Sequence, residues 1–151
     1  MDPRPPDSAA SEPRKPLTEL LAEALASFPE VRLAAAFGSV ARRQERPGSD
    51  LDIGLRLDSR DPELRWKVEA ALGRAAGREV DLVDLDTAPP LLRFEIARDG
   101  VLLLARERQD WVDFRARAMI DWWDWAPTAR KINDELIRQL REKVDGSHGQ
   151  G

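Results

Sequence analysis

Apolar and polar positions alternate along the chain in patterns that switch between helix and strand. Between Pro16 and Phe28, Leu17, Leu20, Leu21, Ala24 and Leu25 fall at the spacing of one helix face, and the proline suits a first turn. Val31–Phe37 is a short, mostly apolar run ending at Gly38, which predicts a buried strand followed by a turn. A short helix over Val40–Gln44, starting at Ser39, is expected next. Along Leu51–Leu57 the apolar Leu51, Ile53, Leu55 and Leu57 alternate with Asp52, Gly54 and Arg56, the pattern of a half-buried strand that Asp50 leads into. Asp61 can cap a helix that opens on Pro62, runs to about Ala76 and closes on Gly77. Glu79–Leu85 reads as a strand, Pro89–Arg98 as a helix, and Val101–Ala105 as a last strand behind an Asp99-Gly100 turn. From Asp110 a helical pattern continues to about Lys143, with a bend expected near Pro127, where a helix hydrogen bond is lost. The order αβαβαβαβαα, with no internal repeat, predicts a mixed α/β domain with a C-terminal helical extension.

Both ends of the chain lack this patterning. Residues 1–15 are rich in proline, serine and charge, and residues 145–151 are similar, so both read as disordered tails. The 151 residues suffice for one domain with a proper core. The chain has no cysteine, which removes disulfides, thiolate metal sites and thiol nucleophiles. There is neither a signal-peptide pattern nor an apolar run near the roughly 20 residues that span a bilayer. A cytoplasmic location without a membrane partner is therefore expected. The net charge of −4 makes no electrostatic case for nucleic-acid binding. The single histidine, His148, stands in the C-terminal tail, which argues against a serine hydrolase with a histidine base.

The chemistry is concentrated in residues 37–57, FGSVARRQERPGSDLDIGLRL. Strand side chains alternate, so Asp50 and Asp52 share a face, about 7 Å apart along the chain. Paired carboxylates repel unless a positive charge lies between them. With oxygen donors alone, Mg²⁺ is the natural occupant, with Mn²⁺ as a substitute. Two such ions suit phosphoryl-type transfer. Gly38 lets the backbone run close to a ligand, and N–H groups from Ser39 onward can cradle a phosphate at a helix start. Arg42 lies one turn further on. A phosphate cradle facing an acidic pair makes a nucleoside triphosphate site.

This stretch resembles the Gly-Ser-x10-Asp-x-Asp motif of the DNA polymerase beta-like nucleotidyltransferase superfamily, and within it the minimal nucleotidyltransferases. The resemblance covers about Leu17–Ala105. It implies a palm-like mixed sheet flanked by helices, a minimal nucleotidyltransferase core at 16–106 and a Trp-rich helical extension at 107–144. In that family a later strand supplies a third carboxylate. Alternation along VDLVDL leaves Asp81, Asp84 and Asp86 open, and the resemblance points to Asp81. It thus implies Asp50, Asp52 and Asp81 as catalytic metal ligands, Gly38, Ser39 and Arg42 as nucleotide-binding residues, and Mg²⁺ and ATP as cofactors. The chain departs from the family at Arg43, where relatives commonly carry glycine, and at Gly48, where many carry aspartate. Both departures bear on nucleotide preference rather than on metal binding.

The extension carries four of the five tryptophans. Trp111, Phe114, Ala118, Trp122, Trp125, Ala129, Ile132, Leu136 and Leu140 form one helical stripe. Most of it is expected to pack on the sheet, and the cluster of Trp122, Trp123 and Trp125 is a candidate partner surface. The segment DFRARAMIDWWDWAP is similar to one in antitoxins of MNT–HEPN toxin–antitoxin pairs. That resemblance implies AMP transfer from ATP to a tyrosine of a HEPN ribonuclease toxin. The chain itself has no tyrosine, so such an acceptor belongs to another molecule. The alternatives are an antibiotic-type small-molecule nucleotidyltransferase and a non-catalytic antitoxin that neutralises by binding.

Overall fold

The structure is a computed structural model that describes residues 14–38 and 50–147. Helix α1 (Leu17–Ala26) precedes strand β1 (Val31–Phe37), and strand β2 (Leu51–Leu57) precedes helix α2 (Pro62–Ala76). Strand β3 (Val80–Asp84), helix α3 (Pro90–Asp99), strand β4 (Val101–Ala105) and helix α4 (Arg108–Ser147) complete the order. The helix expected over Val40–Gln44 lies outside the described residues.

Local chemistry accounts for the boundaries. The Asp61 carboxylate accepts a hydrogen bond from the Glu63 backbone N–H at 3.0 Å, and Pro62, lacking an N–H, occupies the first turn. At the other end of α2, Gly77 takes the left-handed conformation and donates its N–H to the Gly73 carbonyl at 2.9 Å. The chain stays helical across Pro127, in one 40-residue helix where two segments were expected. This helix also takes in Asp145–Ser147, which the pattern had assigned to the tail.

The four strands form one mixed sheet in the order β3-β2-β1-β4. β1 pairs antiparallel with β2 and with β4, whereas β2 and β3 run parallel, joined by α2 as a crossover. Alternation sends Ala34, Ala36, Leu51, Ile53 and Leu55 to one face, where Leu21 and Leu25 of α1 and Val68 and Leu72 of α2 close the core. Leu33, Ala35 and Phe37 point to the other face, against Ile96 and Ala97 of α3 and Phe114 and Ala118 of α4. Each face of the sheet is thus covered by two helices.

α4 is anchored only along its first half. Arg93 of α3 pairs with Asp121 at 3.0 Å, Phe94 stacks on Trp122 at 5.3 Å between centroids, and Arg115 donates to the Ala97 carbonyl at 2.9 Å. Trp111 packs against the core, but Trp123 is 73% exposed. Further on, Ile132, Leu136, Leu140 and Val144 are all exposed. The expectation that most of the stripe packs on the sheet therefore holds as far as Trp122 and fails beyond it. The apolar face continues past the end of what the body can cover.

Candidate active site

β1 delivers Gly38 to one end of the sheet, at a backbone φ of +74°, where an L side chain is strained. A Cβ at this position would stand 2.6 Å from Asp52 Oδ2. Glycine is therefore needed twice, for the turn and for the approach of the carboxylate. Asp52 is level with Phe37 across the antiparallel pair, which sets the end of β1 beside it.

On its other side Asp52 is level with Asp81 in the parallel β2–β3 register. Paired residues of neighbouring strands share a face, so the two carboxylates project together. The start of this pairing is tied by the Leu51 N–H, which donates to the Glu79 carbonyl at 3.1 Å. Asp50 stands one residue ahead of β2 rather than inside it, and is exposed. Burial first, then the charges of Asp81 and Asp50, raise the Asp52 carboxyl above the ordinary carboxylate range. The three aspartates are thus close enough to feel one another.

Register also separates Asp81 from the other acidic residues of its segment. Asp84 lies level with Leu55, three positions along β3, and accepts the Asp86 N–H at 2.8 Å. Asp86 is paired with Arg56 at 2.9 Å. Both are engaged in the turn after β3, away from Asp52. Ser39 and Arg42, expected to hold nucleotide phosphates, lie outside the described residues.

The donor set of Asp50, Asp52 and Asp81 is all oxygen and strongly anionic, which fits a hard divalent cation chemically. Among the described residues, no group of three His, Cys, Asp or Glu side chains is already arranged to hold a metal ion. Unneutralised carboxylates repel one another. Among the described residues no helix is long and apolar enough to cross a membrane.

One feature escaped sequence reasoning. A cleft of about 650 Å³ lies between α2 and the start of β3, lined by Asp50 and Asp81 on the side of the site and by Trp66 on α2. The helical period of α2 identifies the core face through Val68 and Leu72. The complementary signal was a second line, Trp66, Ala70 and Gly73, with a large aromatic above two small residues.

Comparison with known proteins places this geometry among relatives. The family model for polymerase beta nucleotidyltransferases matches residues 19–109. The protein adenylyltransferase MntA of Shewanella oneidensis is 32% identical over 85 residues, 56% of this chain. The match spans 61% of that relative's length. A chain from a crystal structure of a toxin–antitoxin with AMP-PNP superposes with a TM-score of 0.69 at 25% identity, covering 80% of this chain and 98% of the other. The same fold occurs in a structure of a tri-AMPylated Shewanella oneidensis HEPN toxin in complex with MNT antitoxin, at a TM-score of 0.62 and 24% identity over 80% of this chain and 98% of that one.

Proposed function

Since the chain belongs to the polymerase beta nucleotidyltransferase family, we propose that it is an antitoxin adenylyltransferase. It moves AMP from Mg-ATP to a tyrosine hydroxyl of a HEPN ribonuclease toxin and thereby silences the toxin. The observation that carries this reading is the position of Asp52, level with Asp81 on one side and pressed against the Gly38 turn on the other. The similarity to a protein adenylyltransferase and to a toxin–antitoxin chain crystallised with AMP-PNP supports the choice of nucleotide and of a protein acceptor. Because the chain lacks tyrosine, the acceptor ring is supplied in trans.

Asp50, Asp52 and Asp81 are the residues that would hold two Mg²⁺ ions, or Mn²⁺ in their place. Bound there, such ions lower the cost of charge on the attacking and leaving oxygens. The chain's own residues do the rest by positioning. Gly38 and Ser39 offer backbone N–H groups to the phosphates, and Arg42 adds a positive charge. Asp81, the most exposed of the paired strand carboxylates, receives the proton of the acceptor hydroxyl. The tyrosine oxygen forms a bond to the alpha phosphorus as the bond to the bridging oxygen breaks, and pyrophosphate leaves on the opposite side.

The test is Asp52→Asn, mixed with the HEPN toxin and Mg-ATP and read by intact mass of the toxin. The variant is expected to fold as the wild type does and to add no AMP. Full transfer by a folded variant would overturn the assignment.

A further inference from the structure

β3 is an edge strand of the sheet, five residues long and paired on one side only, with β2. It carries Asp81, whose place level with Asp52 depends on that pairing. A slip of two residues would keep the same face and set Glu79 or Val83 level with Asp52 instead. Both ends of the strand are tied to β2. At the start the Leu51 N–H donates to the Glu79 carbonyl, and at the end the Leu85 N–H donates to the Leu55 carbonyl, each at 3.1 Å. The Leu85 side chain also fills the space left by Gly54, where a Cβ would stand 2.5 Å from Leu85 Cδ2.

The outer edge has a tie of another kind. Successive carbonyls of a strand point to opposite edges, so with the Glu79 carbonyl on β2 the Leu82 carbonyl faces away from it. Arg65 of α2 donates a guanidinium N–H to that carbonyl at 2.8 Å. Arg65 shares a helix line with Val68 and Leu72, both of which enter the core. Where that line passes beyond the core, a cleft of about 550 Å³ opens between the start of α2 and the end of β3, and Arg65 and Leu82 both line it. The guanidinium thus spans a gap that apolar packing leaves open. α2 covers the face of Leu51 and Ile53, opposite to that of Asp52 and Asp81. Arg65 therefore acts on the site only through the backbone of β3, at the residue next to Asp81.

We infer that Arg65 is a positioning residue: by holding the Leu82 carbonyl on the free edge of β3, it keeps Asp81 level with Asp52. Its bearing on catalysis rests on the reading of these two carboxylates as ligands of a shared cation in a nucleotidyltransferase. Two carboxylates on neighbouring strands serve one ion only while their spacing is kept, and a misplacement of about 1 Å can cost a hundredfold in rate.

The variants are Arg65→Met, which keeps the apolar stem and loses the donors, and Arg65→Lys, which keeps a charged donor. In the full chain, amide exchange at the Leu51 and Leu85 N–H groups should quicken about tenfold in Arg65→Met, the scale of one lost charge-assisted hydrogen bond. It should return toward the wild-type rate in Arg65→Lys, and Ala35 of β1 should exchange alike in all three proteins. Mn²⁺ titrated into the same proteins and read by electron paramagnetic resonance separates positioning from bulk charge by its sign. Removing a cation from a chain of net charge −4 strengthens Mn²⁺ binding by Coulomb attraction alone. Lys67→Met, on the same helix, should show that small gain. Arg65→Met should instead bind Mn²⁺ more weakly, by about threefold to tenfold. In the transfer assay it should lower kcat with KM for ATP and for the toxin unchanged. Unaltered exchange at Leu51 and Leu85, equal quickening at Ala35, or Mn²⁺ bound as tightly as by Lys67→Met would overturn the proposal. Exchange needs neither metal nor turnover, so it decides the tie on β3 by itself. A wild-type chain that binds no Mn²⁺ and adds no AMP to the toxin would count against the transferase reading instead.

Discussion

Asp52 lies between two other carboxylates at an end of the sheet, and burial, then Asp81, then Asp50, raise its carboxyl above the 3.8 of an unperturbed aspartate. In the range between that value and its folded one, the folded chain holds a proton that the unfolded chain has released. Ionised Asp52 therefore costs the fold stability at neutral pH, and the cost disappears below the unfolded value. Without divalent cations, Asp52→Asn should melt at a higher temperature than the wild type at pH 7. The gain should shrink as pH falls through the raised range and vanish below 3.8. Added Mg²⁺ should then stabilise the wild type more than the variant. A melting difference independent of pH, measured by calorimetry, would contradict this account. Much of this was legible in the sequence, because the spacing of Gly38, Asp50 and Asp52 already ties a tight turn to an acidic strand. The choice of Asp81 came from the resemblance and not from the alternation. Alternation fixes only which residues of a strand share a face, and the register adds that Asp81, not Asp84, is level with Asp52.

At the scale of elements, α2 could be read nearly to the residue because its ends are marked by backbone chemistry, the Asp61 cap and the left-handed Gly77. α4 could not, since its apolar stripe looks the same on both halves and a sequence does not reveal where the sheet beneath it ends. Phe114 is 2% exposed and Leu136 is 53% exposed, though both lie on that stripe. Phe114→Ala should cost about 3–5 kcal/mol, the usual price of emptying an aromatic core position. Leu136→Ala should change stability by no more than about 0.5 kcal/mol, as surface substitutions do. Equal losses in urea unfolding would mean that the outer half of α4 is covered within the same chain. Trp66 escaped for a related reason: the period of α2 reports what is buried, and an exposed aromatic on the opposite line carries no periodic signature.

The whole molecule is a two-faced sheet with one helix that outruns it. At about 1.5 Å per residue, α4 would extend about 60 Å, well beyond the part that packs on α3. Every fully buried residue of α4 falls at or before Ala118, and the residues past Pro127 bury no side chain of the core. Pro127 also lacks the N–H that would tie the outer half back to the inner turn. An uncovered helix of this length is marginal in water, because nucleation is costly and most helical stability comes from packing. The outer half should therefore open independently of the body. In native-state amide exchange, residues after Ala129 should exchange with little protection, while β1 and β2 exchange only on global unfolding. Deleting residues 128–151 should accordingly leave the melting temperature of the body unchanged and remove helical signal from the far-ultraviolet spectrum. A marked drop in melting temperature on truncation would show that the projecting helix contributes to the core after all, and strong protection beyond Ala129 would point the same way.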